Sequence, residues 1–389
     1  MIFSAAVLLL ASRVQAPPTL QEIAAQVSAE RLKATVDKLA SWNTRNTNTP
    51  ELTEACNWVA SEFRKIPRLK VELMTYHIKQ SPRVIADKDV VEVVAVLPGR
   101  TDRRVLVGGH IDTINMTSGA DPMTARAPGA DDDGSGVALT MELARIMSQY
   151  DWEDTLVFVA FSGEEQGLLG SLALAQRAKD EGWNLEAVLS NDIVGSSSNT
   201  DGYRDGREVR VFSEESDEHQ SRELARFTEL VVRRNITDFR VKLIYRNDRF
   251  GRGGDHYSFI KQGFNAIRFC EVWEDFHHQH SADDLPEYVD PEYLRHVAQC
   301  DAVAMASLAN AMPAPTRVRI DRHQGHDTHI SWQPQDGVDY VVYWRDSQSP
   351  VWQGSIDVGS VGEYTVVGIN KDDNFFAVGA KGGLPVVAR

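Results

Sequence analysis

Residues 155–167 of the chain, TLVFVAFSGEEQG, carry the pattern that decides the fold. An apolar run over residues 155–161 is followed directly by a turn that contains two adjacent carboxylates, Glu164 and Glu165. A short apolar run bounded by turn residues is typical of a buried strand. The stretch therefore predicts a core strand that ends in a pair of acidic side chains.

Strand-like and helix-like segments alternate on both sides of this stretch. Strands are predicted at residues 90–97, 104–108, 155–161 and 187–190, and helices at residues 19–40, 51–65, 137–147 and 167–179. This alternation predicts an α/β fold with a twisted, mostly parallel (mixed) sheet and helices on both faces. Functional sites in such sheets lie beyond the carboxyl ends of the strands, where His110, Glu164 and Asp192 are found.

The composition is typical of a soluble globular protein. The 389 residues suffice for a catalytic domain and a smaller module. The formal net charge of -15 argues against binding to nucleic acid or to an anionic membrane. After the N-terminus, no segment has the ~18 uninterrupted apolar residues of a membrane helix. Three cysteines, Cys56, Cys270 and Cys300, permit at most one disulfide, and the sequence leaves its pairing open.

Residues 1–16 resemble a secretory signal peptide, which predicts a secreted or periplasmic protein. The apolar core spans residues 2–11, and Val14-Gln15-Ala16 matches a cleavage site. The segment lacks a Lys or Arg before its apolar core. A frayed apolar N-terminus or a misplaced start codon is therefore the alternative.

The C-terminal fifth of the chain differs in pattern from residues 17–312, which form the predicted catalytic domain. Pro313-Ala314-Pro315 interrupts the chain, and residues 313–389 show short alternating runs separated by turn residues. This pattern predicts a small all-β sandwich. The runs THISW at 328–332 and YVVYW at 340–344 resemble those of a fibronectin type III module. Such modules usually bind, space or stabilise, so the resemblance implies binding to a polymer or surface as a role for this part of the chain.

Two motifs early in the predicted catalytic domain bring together residue types that bind metals. His110 ends a predicted strand, and Asp112 lies two residues on, where it could accept from the ring of His110. Residues 131–133 are three adjacent aspartates flanked by glycines, and such carboxylates repel one another unless a cation neutralises them. Taken alone, the first motif also fits a surface pair and the second a solvated acidic turn.

Three later motifs add further carboxylates and imidazoles. The adjacent Glu164 and Glu165 could divide metal binding from general-base catalysis, although an acidic pair also stabilises a following helix. Asp192 follows a predicted strand, and a polar loop further on contains three histidines, which are commonly metal ligands. The histidines of this loop are His277, His278 and His280. Together the motifs supply enough ligands for two metal ions and a spare carboxylate, which predicts a metallohydrolase.

The same motifs carry a family resemblance over residues 90–300. They are His-x-Asp at 110–112, DDDGSG at 131–136, SGEEQGLLGS at 162–171, Asn-Asp at 191–192, GGDHYSF at 253–259 and a late histidine. In this order they resemble the co-catalytic di-zinc aminopeptidases, typified by secreted bacterial leucyl aminopeptidases. Glutamate carboxypeptidase and glutaminyl cyclase are more distant relatives of that family.

The resemblance implies two Zn²⁺ ions per chain and a role for each motif. The implied metal ligands are His110, Asp132, Glu165, Asp192 and His280, and the implied catalytic residues are Glu164 and Asp112. Asp132 would bridge both ions and precede a cis bond to Asp133. Glu164 would be the general acid/base, and Asp112 would orient His110. His280 is chosen because Asp284 completes the family's His-x-x-x-Asp pattern, with His278 as the alternative.

The implied activity is the removal of N-terminal residues from peptides with a free N-terminus. Glu164 would take a proton from a water held between the two metals. A carboxypeptidase of the same fold is the first alternative, since Arg246, Arg249 and Arg252 could clamp a substrate carboxylate. A glutaminyl cyclase is the second alternative, although it would use one zinc. A non-catalytic relative would normally lack Glu164 or a ligand, and none is missing from this sequence.

Overall fold

The structure is a computed structural model that describes residues 18–214, 220–248 and 253–389. The predicted signal peptide, residues 1–16, therefore lies outside the described residues, as do Arg249 and Arg252. Among the described helices, none combines the length and apolar character needed to cross a membrane. Cys56, Cys270 and Cys300 are all buried, and each is a free thiol.

An eight-stranded mixed sheet forms the centre of the first part of the chain. Its strands are β1 Lys70–Ile78, β2 Lys88–Leu97, β3 Arg103–His110, β4 Thr155–Phe161, β5 Asn184–Asn191, β6 Glu208–Phe212, β7 Arg240–Ile244 and β8 Ala266–Glu271. They follow the spatial order β1-β2-β4-β3-β5-β8-β6-β7. The central strands β4, β3, β5 and β8 are mutually parallel, whereas β1, β2 and β6 each pair antiparallel with a neighbour.

Helices cover both faces of this sheet. They are α1 Leu20–Ala24, α2 Ala29–Leu39, α3 Pro50–Arg64, α4 Gly134–Met147, α5 Leu169–Asp180, α6 Ser221–Asn235, α7 Asp255–Lys261 and α8 Pro291–Asn310. Alternate residues of β4 face opposite layers, as the period of a strand requires. Phe158 packs into the cluster formed with α2, α3, α4 and α8, whereas Val157 and Val159 pack against α5 and α7. The predicted α/β class is confirmed.

The predicted bounds are right for the central strand β4 but wrong for two of the helices. β4 has the predicted bounds. The single helix predicted over 19–40 is wrong, because the chain forms α1 and α2 with a break at which the Ser28 hydroxyl caps α2. Helix α4 begins at Gly134, earlier than predicted, because the Asp133 carboxylate accepts the Gly136 N–H and supplies the cap.

The last strands form two small antiparallel sheets. Their strands are β9 Thr316–Ile320, β10 Thr328–Gln333, β11 Tyr340–Asp346, β12 Gly354–Gly359, β13 Glu363–Val366, β14 Asn374–Ala380 and β15 Val386–Val387. One sheet has the order β13-β10-β9 and the other β12-β11-β14-β15. Side chains from both sheets share one core that includes Ile330, Tyr340 and Phe376. The predicted small β-sandwich is confirmed, while the fibronectin type III assignment and the division at residue 313 stay predictions.

Candidate metal centre

The predicted site residues meet at the carboxyl edge of the central parallel strands. His110 is the last residue of β3, and Asp192 directly follows β5. Glu164 and Glu165 lie in the turn between β4 and α5, and Asp132 lies just before α4. Because β4, β3 and β5 are parallel neighbours, their carboxyl ends deliver these side chains to one place.

Five of the side chains form two groups that share one residue. His110, Asp132 and Asp192 form the first group, and Asp132, Glu165 and His280 form the second. Within each group the potential ligand atoms lie within 4.8 Å of one another. The two oxygens of Asp132 face different histidines, because Oδ1 lies 3.0 Å from His110 Nε2 and Oδ2 lies 3.0 Å from His280 Nε2.

The chemistry of this cluster fits a pair of divalent cations. Asp132, Glu165 and Asp192 are buried, yet Asp132 Oδ2, Glu165 Oε1 and Asp192 Oδ1 have no hydrogen bond of good geometry. Burying three carboxylates together is costly even with histidines and an arginine beside them, and a bound cation removes that cost. Imidazole nitrogens and carboxylate oxygens are also the ligand atoms that zinc accepts.

The three adjacent aspartates have different roles, which resolves the repulsion expected between them. The carboxylate of Asp133 accepts the backbone N–H groups of His110 at 2.8 Å and Gly136 at 2.9 Å. Asp131 Oδ1 accepts the N–H of Gly195 at 2.7 Å. Only the middle carboxylate, Asp132, belongs to the metal-ligand groups. The Asp132–Asp133 peptide bond is cis, as the resemblance implies.

The structure brings His280 into the cluster and leaves the neighbouring histidines outside it. His280 Nε2 lies 3.3 Å from Glu165 Oε1. His278 instead pairs with Asp275 and stacks on Tyr288, with the ring centroids 4.0 Å apart. Asp284, the basis for choosing His280, accepts the backbone N–H groups of Asp131 at 2.9 Å and Asp132 at 3.0 Å. Its carboxylate therefore fixes the acidic turn beside the histidine.

Asp112 supports the site differently from the sequence-based expectation. His110 Nδ1 lies 3.1 Å from the backbone oxygen of Asp112, whereas the nearest carboxylate oxygen is 3.9 Å away. The carboxylate accepts the N–H groups of Glu164 and Glu165, both at 3.1 Å. Because β3 ends at His110, the side-chain alternation of a strand does not extend to Asp112. The residue still contacts His110, but through its main chain.

Glu164 lines a cavity of about 440 Å³ together with the five clustered side chains. Its carboxylate belongs to neither of the two metal-ligand groups. Desolvation raises the pKa of Glu164 well above its usual range, and the nearby charge of Asp192 adds to the effect.

Two buried arginines support the site and escaped the sequence analysis. Arg268, in β8, forms ion pairs with Asp192 Oδ1 at 3.1 Å and Asp248 Oδ2 at 2.8 Å. Burial opposes ionisation of Asp192, but the charges of Arg268 and His110 lower the pKa of Asp192 to about 2. Arg45 donates to the backbone oxygens of Ile111 at 2.6 Å and Gly129 at 2.9 Å. The signal available in the sequence was Arg268 itself, a charged residue within the otherwise apolar start of β8.

Of the three arginines considered as a carboxylate clamp, only Arg246 lies within the described residues, and its position gives that hypothesis no support. Arg246 is not among the described residues that line the cavity. Its Nε donates to the backbone oxygen of Asn247 at 3.3 Å. Arg249 and Arg252 lie outside the described residues, so that part of the hypothesis stays a prediction.

The fold and the cluster together define a metal-dependent hydrolase of the α/β class. Residues 92–305 match Peptidase family M28, and the chain belongs to this family.

Curated relatives extend the similarity over nearly the whole chain. A protein of Pyrenophora tritici-repentis named probable zinc metalloprotease is 35% identical over 417 residues, covering 95% of this chain and 86% of that protein. A protein of Pyricularia oryzae with the same name is 36% identical, covering 93% of this chain and 82% of that protein.

Solved structures show the same fold at lower identity. The LapA aminopeptidase of Legionella pneumophila has a TM-score of 0.60 and 20% identity, covering 80% of each chain. BSAP, a zinc aminopeptidase from Bacillus subtilis, has a TM-score of 0.58 and 15% identity, covering 72% of this chain and 94% of that one. Porphyromonas gingivalis glutaminyl cyclase has a TM-score of 0.57 and 20% identity, covering 72% of this chain and 98% of that one. At these identities the similarity concerns the fold.

Proposed function

We propose that the chain is a zinc-dependent aminopeptidase that removes N-terminal residues from peptides. The observation that carries the proposal is the sharing of Asp132 between two three-residue ligand groups beside a cavity that Glu164 lines. Membership of Peptidase family M28 supports peptide-bond hydrolysis. The names of the fungal relatives support zinc as the metal.

The proposal assigns the five clustered side chains to two zinc ions. His110, Asp132 and Asp192 would hold one ion, and Asp132, Glu165 and His280 the other. When bound, such metals lower the pKa of water and polarise the scissile carbonyl. Arg268 and Asp284 hold the ligands in place, because the first pairs with Asp192 and the second binds the backbone beside Asp132.

Glu164 would move the protons of the reaction. Its carboxylate takes a proton from the attacking water and then delivers that proton to the leaving amine, so the side chain ends as it began. Asp112 holds the backbone N–H of Glu164 and so fixes the turn from which this side chain extends. The small volume of the cavity favours the end of a peptide over a bond in the middle of a long chain.

A carboxypeptidase is the second candidate, because the guanidinium of Arg83 also lines the cavity and could receive a substrate carboxylate. The two functions differ in whether the peptide's amino group must be free. A glutaminyl cyclase is the third, and the complete double set of ligands argues against a one-zinc enzyme.

The test combines metal content with blocked and unblocked peptides. The purified full chain should contain two zinc ions per molecule, cleave Leu-Gly-Gly and leave N-acetyl-Leu-Gly-Gly intact. The Asp132→Ala variant serves as control and should lose both metals and the activity. Cleavage of both peptides with release of the C-terminal glycine would point to a carboxypeptidase, and cyclisation of an N-terminal glutamine with one bound zinc would point to a cyclase.

A further inference from the structure

Arg83 places a positive charge at the wall of an otherwise acidic cavity. The cavity of about 440 Å³ is lined by four carboxylate side chains and, among the described residues, by no other Lys or Arg. Arg83 Nη1 donates to the backbone oxygen of Glu165 at 2.6 Å. The guanidinium therefore lies next to a residue whose side chain belongs to the metal-ligand cluster.

The loop that carries Arg83 is held in place from the core side. The buried side chain of Asn48 donates to the backbone oxygen of Arg83 at 2.9 Å and accepts the N–H of Ile85 at 3.0 Å. Backbone hydrogen bonds between Ser81 and Val84 close the turn. Fixing the main chain on both sides of Arg83 positions its guanidinium before any substrate arrives, which reduces the entropic cost of binding.

The guanidinium of Arg83 has N–H donors left with which to bind a ligand. It has five N–H donors, and its partners among the described residues are the Glu165 carbonyl and the thioether of Met116, at 3.9 Å from Nη2. A thioether is a weak acceptor, so a carboxylate would readily replace it. A planar carboxylate is also the partner whose two oxygens match the fork of an arginine.

The size of the cavity indicates where that carboxylate belongs on the substrate. A volume of about 440 Å³ lies at the lower end of the range for ligand sites, ~300–1,000 Å³, which suits a short peptide. Successive residues of an extended peptide are ~3.3–3.6 Å apart, so a guanidinium that binds the Glu165 carbonyl lies within about one or two residues of a bond held at the metal-ligand cluster. Of the two residues joined by that bond in a dipeptide, only the one after it carries a terminal carboxylate, because the one before it carries the free amino group.

We infer that Arg83 is a specificity residue that binds a carboxylate on the residue following the scissile bond, and that short peptides are the preferred substrates. This inference rests on the proposed aminopeptidase function. The carboxylate is either the C-terminus of a dipeptide or an acidic side chain, and matched substrates separate the two.

The experiment compares kcat/KM for four peptides in the zinc-loaded full chain and its variants. The pairs are Leu-Gly with Leu-Gly-amide, and Leu-Glu-amide with Leu-Gln-amide. In each pair only one carboxylate is removed. Arg83→Met should reduce the acid-to-amide ratio of at least one pair by about 10–100-fold, the range expected for a lost hydrogen bond to a charged group. The acid-to-amide ratio of Arg83→Lys should fall between those of the unmodified chain and of Arg83→Met, because an ammonium keeps the charge but lacks the planar fork of a guanidinium.

Lys79→Met is the matched control. Lys79 lies on the same loop, pairs with Asp87 at 2.7 Å and does not line the cavity. The Lys79→Met substitution removes one positive charge, as Arg83→Met does, and should leave both acid-to-amide ratios unchanged. The zinc content of Arg83→Met should also match that of the unmodified chain, which separates substrate binding from damage to Glu165.

The outcomes distinguish this inference from the proposed function. A ratio that changes only for the Leu-Gly pair, in a chain that leaves N-acetyl-Leu-Gly intact, assigns the C-terminal carboxylate of a dipeptide. Cleavage of the acetylated dipeptide would instead make Arg83 the carboxylate site of a carboxypeptidase and would overturn the proposed function. A ratio that changes only for the Leu-Glu-amide pair assigns an acidic side chain. Equal losses on acid and amide substrates in Arg83→Met would overturn the inference while leaving the aminopeptidase intact. A zinc-loaded chain that hydrolyses none of the four peptides would overturn the proposed function, and the inference with it.

Discussion

Asp132 shows how one residue can organise the whole centre. Its neighbours Asp131 and Asp133 bind backbone amides, and this frees the middle carboxylate to face both histidines. A run of three aspartates in the sequence cannot reveal this division, because the partner amides belong to distant segments such as Gly195. The family resemblance selected Asp132, and the structure supplies the physical reason for the choice.

Replacing Glu164 with Gln should abolish most activity without removing the metals. The amide keeps the size of the side chain but cannot take a proton from water, and a general base typically contributes about 10²–10⁴-fold. The measurement is kcat on Leu-Gly-Gly alongside zinc content by elemental analysis. Turnover near that of the unmodified chain, with two zinc ions bound, would remove Glu164 from the mechanism.

His280 and His278 provide a matched pair of variants. His280→Ala should lower the zinc content to about one per chain or abolish activity, because its Nε2 lies beside Asp132 and Glu165. His278→Ala should keep two metals, since this ring stacks on Tyr288 and pairs with Asp275. Zinc analysis of both purified variants checks the assignment, and the reverse pattern would transfer the ligand role to His278.

At the scale of elements, the sequence predicted the parts whose signals are local. The apolar runs of the central strands predicted both the sheet and the edge at which the predicted ligands meet. Arg268 and Arg45 could not be assigned in the same way, because Arg268 pairs with Asp192, 76 residues away, and Arg45 binds carbonyls 66 to 84 residues away. Several elements of the mixed sheet and its helices were not predicted, namely β1, β6, β7, α6, α7 and α8. For β7 the reason is that its alternating charged residues leave it half-exposed at the sheet edge.

The contact between α8 and β5 predicts a pH-dependent stability. Asp301 in α8 is fully buried and accepts the side-chain N–H of Asn191 at 3.0 Å. Burial raises the pKa of Asp301 from 3.8 to about 8, although the Asn191 hydrogen bond opposes this. Between these values the folded chain keeps a proton that the unfolded chain releases. This contribution therefore reduces stability as the pH rises through that window.

Asp301→Asn should remove this titration while leaving an oxygen for Asn191. The free energy of unfolding of the variant, relative to the unmodified chain, should increase by up to about 1.4 kcal/mol per pH unit across the window and then level off. Urea titrations at about pH 5 and about pH 7 measure the difference. A difference that is the same at both pH values would show that Asp301 is ionised in the folded chain.

On the scale of the whole molecule, the β-sandwich packs against the layer of helices rather than against the site. Leu230 of α6 lies in one apolar cluster with Val341, Tyr343 and Trp352. Arg233 Nη2 donates to the backbone oxygen of Trp352 at 2.9 Å. None of the described residues after 312 lines the cavity that contains Glu164. The sandwich is therefore placed to stabilise the domain that carries the centre.

Replacing Trp352 with Ala should separate stability from catalysis. The ring is 1% exposed, and truncating a buried aromatic side chain to Ala costs about 3–5 kcal/mol. Val367→Ala, at a side chain that is 75% exposed, is the control and should change the free energy of unfolding by less than about 0.5 kcal/mol. Because the sandwich lies away from the cavity, kcat/KM on Leu-Gly should stay within about twofold in the folded fraction of both variants, measured well below the unfolding midpoint. A well-folded Trp352→Ala enzyme that loses its activity would show that the sandwich helps to shape the active site.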